Sequence, residues 1–173
     1  MGCSTSKEAP KVVVFGRVGS GASSVVNLIA GQAVAAVSPD SGRCTKRSKP
    51  HSVAFQDKTF TVYDFPGFDG PEDRPPEEFP PDTGLVIICT KDDGNHVRTT
   101  ARYLQTWNQK HDATVPVIVV VNHRKFADGW WITNQSYFDS PSCNMVAHAC
   151  LVLGGDSTNL LRNLIAQYCT SGS

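Results

Sequence analysis

The chain alternates short, uniformly apolar runs with segments whose apolar residues recur at helical spacing. KVVVF (11 to 15) is β-branched and ends at Gly16, the pattern of a buried first strand. After a glycine-rich stretch, SSVVNLIAG (23 to 31) carries Val25, Val26, Leu28 and Ile29 and closes on Gly31, which predicts a short helix with a C-terminal glycine. Residues 32 to 50 lose periodicity and read as a loop. HSVAFQ and TFTVYD then flank Asp57 and Lys58, predicting a hairpin with a two-residue connection that joins an edge strand to a central one and ends at Asp64. Between 64 and 82 there are five prolines beyond Pro66, too many for a continuous helix, so a long irregular loop is expected.

GLVIICT (84 to 90) and VPVIVVVN (115 to 122) read as two more buried strands. Residues 95 to 110 lie between them and set Val97, Ala101, Leu104 and Trp107 at helical spacing. A long connection is expected over 123 to 145, a last strand over VAHACLVLG (146 to 154), and a final amphipathic helix over 157 to 169 capped by Ser157. This order predicts an α/β fold, with a mostly parallel six-stranded sheet, helices on both faces and one antiparallel edge strand. One domain is expected over 11 to 170, preceded by a disordered tail at 1 to 10. Ligands of such sheets bind at the carboxyl ends of the strands. Gly16, Asp64 and Asn122 all fall there, each directly after an apolar run.

Composition narrows the class. With 173 residues, of which 40% are hydrophobic, the chain suits one ordinary core. Lys plus Arg and Asp plus Glu both number 16, so charge gives no argument for nucleic acid, and none is expected as a partner. The distribution is uneven: residues 1 to 50 carry seven bases and two acids, residues 64 to 93 nine acids and two bases. The six cysteines include no C-x-x-C pair and read as reduced thiols of an intracellular protein, without a zinc site. No apolar run approaches the roughly 18 residues of a membrane-spanning helix, and no secretory signal is visible, so neither fate is expected. MGCSTSK nevertheless fits the M-G-x-x-x-[ST] pattern, which makes Gly2 a candidate for myristoylation and Cys3 for palmitoylation. One acyl chain holds a protein only marginally, so both, aided by Lys7 and Lys11, would place it on the cytoplasmic face of a membrane.

The chemistry concentrates in FGRVGSGASS (15 to 24). Gly16, Gly21 and Ser23 match the phosphate-loop pattern G-x-x-x-x-G-K-[ST], with Ala22 where the pattern has Lys. Such a loop works because small residues let consecutive N–H groups converge on phosphate oxygens at a helix N-terminus. Gly16, Gly19, Ser20 and Gly21 keep that shape. A missing charge-assisted contact costs about 1.5–3 kcal/mol, which lowers affinity by one to two decades or more. Arg17, or the cluster Arg43, Lys46, Arg47 and Lys49, could supply charge instead; for the cluster a solvated or membrane-facing surface is the favoured reading.

GRVGSGAS, DFPG and VVVNHRK, in that order and with Thr45 between the first two, resemble the signature elements of a GTPase domain over about residues 10 to 170. The chain is most similar to septin-like and AIG1-like G domains and to small G-domain proteins of fungi. In the latter D-G-W-W-x-x-N-x-x-x-F follows the fifth strand, matched here by Asp128 to Trp131, Asn134 and Phe138. The resemblance implies GTP or GDP with Mg²⁺ as ligands. It places Gly16, Arg17, Val18, Gly19, Ser20, Gly21, Ala22, Ser23 and Ser24 around the phosphates, and Ser23, Thr45 and Asp64 at Mg²⁺. Gly67 would meet the terminal phosphate and Asn122 the base.

Two departures bear on activity. Phe68 stands where many GTPases carry a water-orienting Gln, so intrinsic hydrolysis is expected to be very slow or absent. In the base-recognition element Asn122 is followed by His123, Arg124 and Lys125, and a lysine cannot accept the hydrogen bonds that Asp accepts from guanine; Asp128 is a substitute only by proximity. No S-A-K element follows the last strand, where LGGDS stands. The five histidines are expected on the surface or as satisfied core groups, and Trp130 and Trp131 as packing residues. Two functions remain open: a membrane-anchored, GTP-binding switch that signals to an effector, and a pseudo-GTPase interaction module. A P-loop kinase fits less well, and the septin-like resemblance leaves a homodimer across the nucleotide face open.

Overall fold

The structure is a computed structural model and describes residues 7–37, 47–68, 78–123, 125, 128–152 and 157–170. Strands β1 (Lys11–Gly16), β2 (Lys49–Phe55), β3 (Lys58–Asp64), β4 (Thr83–Lys91), β5 (Pro116–His123) and β6 (Asn144–Val152) form one sheet in the order β2-β3-β1-β4-β5-β6. Every pairing is parallel except that of β2 with β3, as the sequence predicts.

Alternation along the strands explains why helices cover both faces. Val12 and Val14 point to one side, where Val25, Val26 and Ile29 of α1 (Ala22–Ala30) pack with Leu161 and Ile165 of α4 (Thr158–Tyr168). Val13 and Phe15 point to the other, against Val97 and Leu104 of α2 (Gly94–Gln105) and an aromatic cluster around Trp107. A fifth-strand neighbour of this cluster, α3 (Trp130–Asn134), breaks the connection that the sequence left irregular over 123 to 145.

Four local expectations are corrected. The hairpin turns at Gln56 and Asp57, one residue before the expected pair, because Phe55 pairs with Lys58 and Phe55 stacks on Phe60 at 4.6 Å. Both turn residues take positive φ, 50° and 59°, the backbone that matches strand twist in a tight hairpin. Helix α2 stops at Gln105 rather than continuing to 110, and Trp107–Gln109 form a separate 3₁₀ turn that buries Trp107. The last strand starts at Asn144. Ser157 does precede α4, but its side chain makes no capping hydrogen bond.

Candidate functional site

The carboxyl end of β1 runs into the glycine loop under tight steric control. A Cβ on Gly16 would lie 2.3 Å from the Cys89 carbonyl oxygen of the neighbouring strand β4. Gly19 and Gly21 hold φ of 80° and 88°, which disfavours any side chain there. Ser20 N–H donates to the Arg17 carbonyl at 2.8 Å, closing the turn. From β5, Asn122 Nδ2 donates to the Ser20 carbonyl at 2.8 Å and passes so near Gly21 that a Cβ there would meet it at 2.7 Å. Helix α1 then begins at Ala22 with no side-chain cap and no acid in its first turn, so the positive end of its dipole is left for an anion to neutralise.

The expected metal ligands converge in part. Ser23 Oγ donates to Asp64 Oδ2 at 3.1 Å, and Asp64 is buried at the end of β3. Thr45 lies outside the described residues, as do Gly2, Cys3, Arg43, Lys46 and Arg124. Arg47, Lys49, Lys125 and Asp128 are exposed. Several buried polar atoms at the loop lack a hydrogen-bond partner among the described residues: Arg17 Nε, Ser20 Oγ and Asn122 Oδ1. A nucleotide with Mg²⁺ fits this donor set, since Ser23 and Asp64 offer two hard oxygens and the loop offers N–H groups. When bound, Mg²⁺ would neutralise phosphate charge; Ser23 and Asp64 would hold it.

The segment after Asp64 is fastened to the loop. Phe65 N–H donates to the Val14 carbonyl at 3.0 Å, Phe68 N–H to the Gly16 carbonyl at 3.1 Å, and Val18 N–H to the Phe68 carbonyl at 2.7 Å. Gly67 is thereby pressed against Val18, where a Cβ would sit 3.1 Å from the Val18 nitrogen. The Phe68 ring is buried, stacked on Tyr103 at 4.9 Å, and so brings no polar group to the site.

Sequence reasoning missed the end of β4, KDD (91 to 93). Asp92 pairs with β5, its Oδ2 3.0 Å from Nδ1 of His123, which is fully buried with its ring edge-to-face on Trp130 at 5.3 Å. Asp93 caps α2 by accepting from the Asn95 and His96 backbones and pairs with the His96 ring at 2.8 Å. Burial raises the Asp93 pKa, but the hydrogen bonds and charge of His96 outweigh it and hold the carboxyl below its ordinary value. His96 Nε2 in turn lies 3.4 Å from the Val18 carbonyl. The signal that could have found these residues is position: polar groups directly after a buried strand stand at the same sheet edge as Gly16 and Asn122. Trp131 stacks on His148 at 3.9 Å and on Phe138 at 5.2 Å, a packing role as expected.

Solved structures share the fold. Era in complex with MgGDPNP and nucleotides of 16S ribosomal RNA superposes with a TM-score of 0.70 at 16% identity, covering 96% of this chain and 58% of that one. A GTP-binding protein from the hyperthermophilic archaeon Sulfolobus solfataricus, in complex with GDP, gives 0.64 at 15%, covering 92% and 52%. Toc33 from Arabidopsis thaliana gives 0.60 at 15%, covering 89% and 82%. The chain thus spans little more than half the length of the first two. No curated protein sequence matches it. Residues 11–123, more than half of the chain, match the family model described as 50S ribosome-binding GTPase, and the chain belongs to that GTPase family.

Proposed function

We propose that the protein binds guanine nucleotide with Mg²⁺ and works as a membrane-anchored switch whose intrinsic hydrolysis is very slow or absent. The observation that carries the reading is the lock of the glycine loop by Asn122, with Ser23 and Asp64 meeting beside it. Support also comes from the GDP and MgGDPNP complexes of proteins with the same fold. Slow turnover follows from the buried Phe68 ring, which cannot orient a water. We place the chain near septin-like and AIG1-like G domains, and nearest to small fungal G-domain proteins on the match at Asp128 to Trp131, Asn134 and Phe138, with a homodimer across the nucleotide face or an effector protein as partner. Acylation at Gly2 and Cys3 supplies the membrane half of the proposal.

A second reading, a pseudo-GTPase that acts through its surface, is favoured by Ala22, Lys125 and Phe68. Titration calorimetry with GDP and a non-hydrolysable GTP analogue in Mg²⁺, beside the ATP analogue, separates the two. Micromolar binding of the guanine nucleotides alone is expected; no heat at millimolar ligand selects the pseudo-GTPase. Fractionation of cells expressing the wild type and Gly2→Ala is the second arm, with wild type in the membrane fraction and the variant in the cytosol.

A further inference from the structure

The phosphate loop lacks its lysine, and the sequence offers Arg17 or the basic cluster of residues 43 to 49 as replacements without deciding between them. A cation does stand there. A Cβ built on Gly19 would lie 3.8 Å from Nζ of Lys91, the last residue of β4. Lys91 pairs in register with Asn122 of the adjacent parallel strand, so the two side chains leave the sheet edge together. Asn122 reaches the Ser20 carbonyl and Gly21, while the Lys91 ammonium reaches Gly19. The two residues thus address consecutive positions of one turn.

Charge bookkeeping favours a ligand for this ammonium. The Lys91 ammonium makes no hydrogen bond or ion pair among the described residues, where only its carbonyl is engaged, by Thr90 Oγ1 at 3.1 Å, and the two acids that follow it are already engaged, Asp92 with His123 and Asp93 with His96. Arg17, a cation of the loop itself, lines a depression with Asp93, Asn95, His96 and Arg98 at the start of α2, and neither Gly21 nor Asn122 lines it. Ala22 is small and packs against the α1 face of the core, which leaves the space above the loop to a side chain from elsewhere.

We propose that Lys91 is a phosphate-binding residue that stands in for the lysine absent at Ala22, delivering its charge to the nucleotide phosphates from β4 rather than from the loop. This rests on the nucleotide-binding reading above. A lysine carried on a strand end is a point charge with three rotatable donors, so it serves an anion without needing the loop's geometry.

The test is calorimetric titration of the full chain with GDP and Mg²⁺ across four forms. Lys91→Gln should weaken binding about tenfold or more, the worth of a charge-assisted contact. Lys91→Arg should retain most of it, and Ala22→Lys placed in the Lys91→Gln background should restore it by returning the charge from the loop side. A thermal unfolding midpoint equal to wild type in Lys91→Gln separates a lost ligand contact from damage to the fold. Wild-type affinity in Lys91→Gln overturns the proposal, and so does a loss that neither Arg nor the loop lysine repairs. Wild-type protein that binds no guanine nucleotide overturns the nucleotide-binding reading, and this inference with it.

Discussion

At Gly16 a methyl group would have to occupy space 2.3 Å from the Cys89 carbonyl and 2.4 Å from Ser20 Oγ, both held by their own strands or turn. Gly94 offers a contrast, because a Cβ there meets only the mobile tip of Arg98, at 3.4 Å. Gly16→Ala should therefore cost about 1–3 kcal/mol, as overpacking does, whereas Gly94→Ala at the first turn of α2 should shift stability by less than about 1 kcal/mol. Denaturant unfolding of the two variants measures this, and equal midpoints would show that the loop yields to a side chain. Glycine and serine spacing made this loop readable from sequence, since the backbone conformation that phosphate binding requires is one that few residues adopt. Lys91 was not readable in that way, because its relevance depends on β4 lying next to β1, which spacing along the chain does not state.

The element that behaves least as the family pattern suggests is the short run after β3. Backbone hydrogen bonds tie Phe65 and Phe68 to Val14, Gly16 and Val18, and the Phe68 ring anchors them by stacking on Tyr103 and facing Phe15. The segment that the proposal assigns to the terminal phosphate is thus tethered at residue 68. Phe68→Ala should cost about 3 kcal/mol or more through the cavity it leaves. It should also speed amide exchange at Val18 and Phe68 while β4 and β5 keep their protection. Unchanged exchange at Val18 would mean that the backbone pairing alone holds the segment. Uniform apolar strands were legible from sequence, and so was the gathering of Gly16, Asp64 and Asn122 at the carboxyl ends of their strands. The exact turn of the hairpin, the break of α2 at Thr106 and the helix at Trp130–Asn134 were not, since Phe55 on Phe60, the burial of Trp107 and the packing of Trp130 and Trp131 decide them across the fold.

At the scale of the whole molecule, the two ends of the sheet differ in chemistry. The carboxyl ends carry the loop, Asp64, Lys91 and Asn122; near the amino ends of β4 and β5, a cavity of about 470 Å³ is lined by Phe79, Thr83, Trp107, Lys110, His111 and Val115, among others. His111 stacks on Phe79 at 4.3 Å and lies 2.7 Å from the Tyr103 hydroxyl; burial, and then the Lys110 charge, lower its pKa to about 4. Between its ordinary value near 6.5 and about 4 the unfolded chain takes up a proton that the folded chain refuses. Stability should then be level with respect to this group above about pH 6.5 and fall as pH drops toward 4. Melting temperatures of the wild type and His111→Phe across that window check it, and parallel curves would exclude His111 as the source.

The hydrogen bond from Asn122 to Ser20 joins residues 102 positions apart. A chain emerging from synthesis therefore carries its phosphate loop early but cannot brace it until β5 is available, after β4 and α2. Pairings of such long sequence separation form late and make folding slow. If the loop captures nucleotide as proposed, capture reports finished assembly, and a nucleotide that binds only the braced form adds its binding energy to the last docking step rather than to the first.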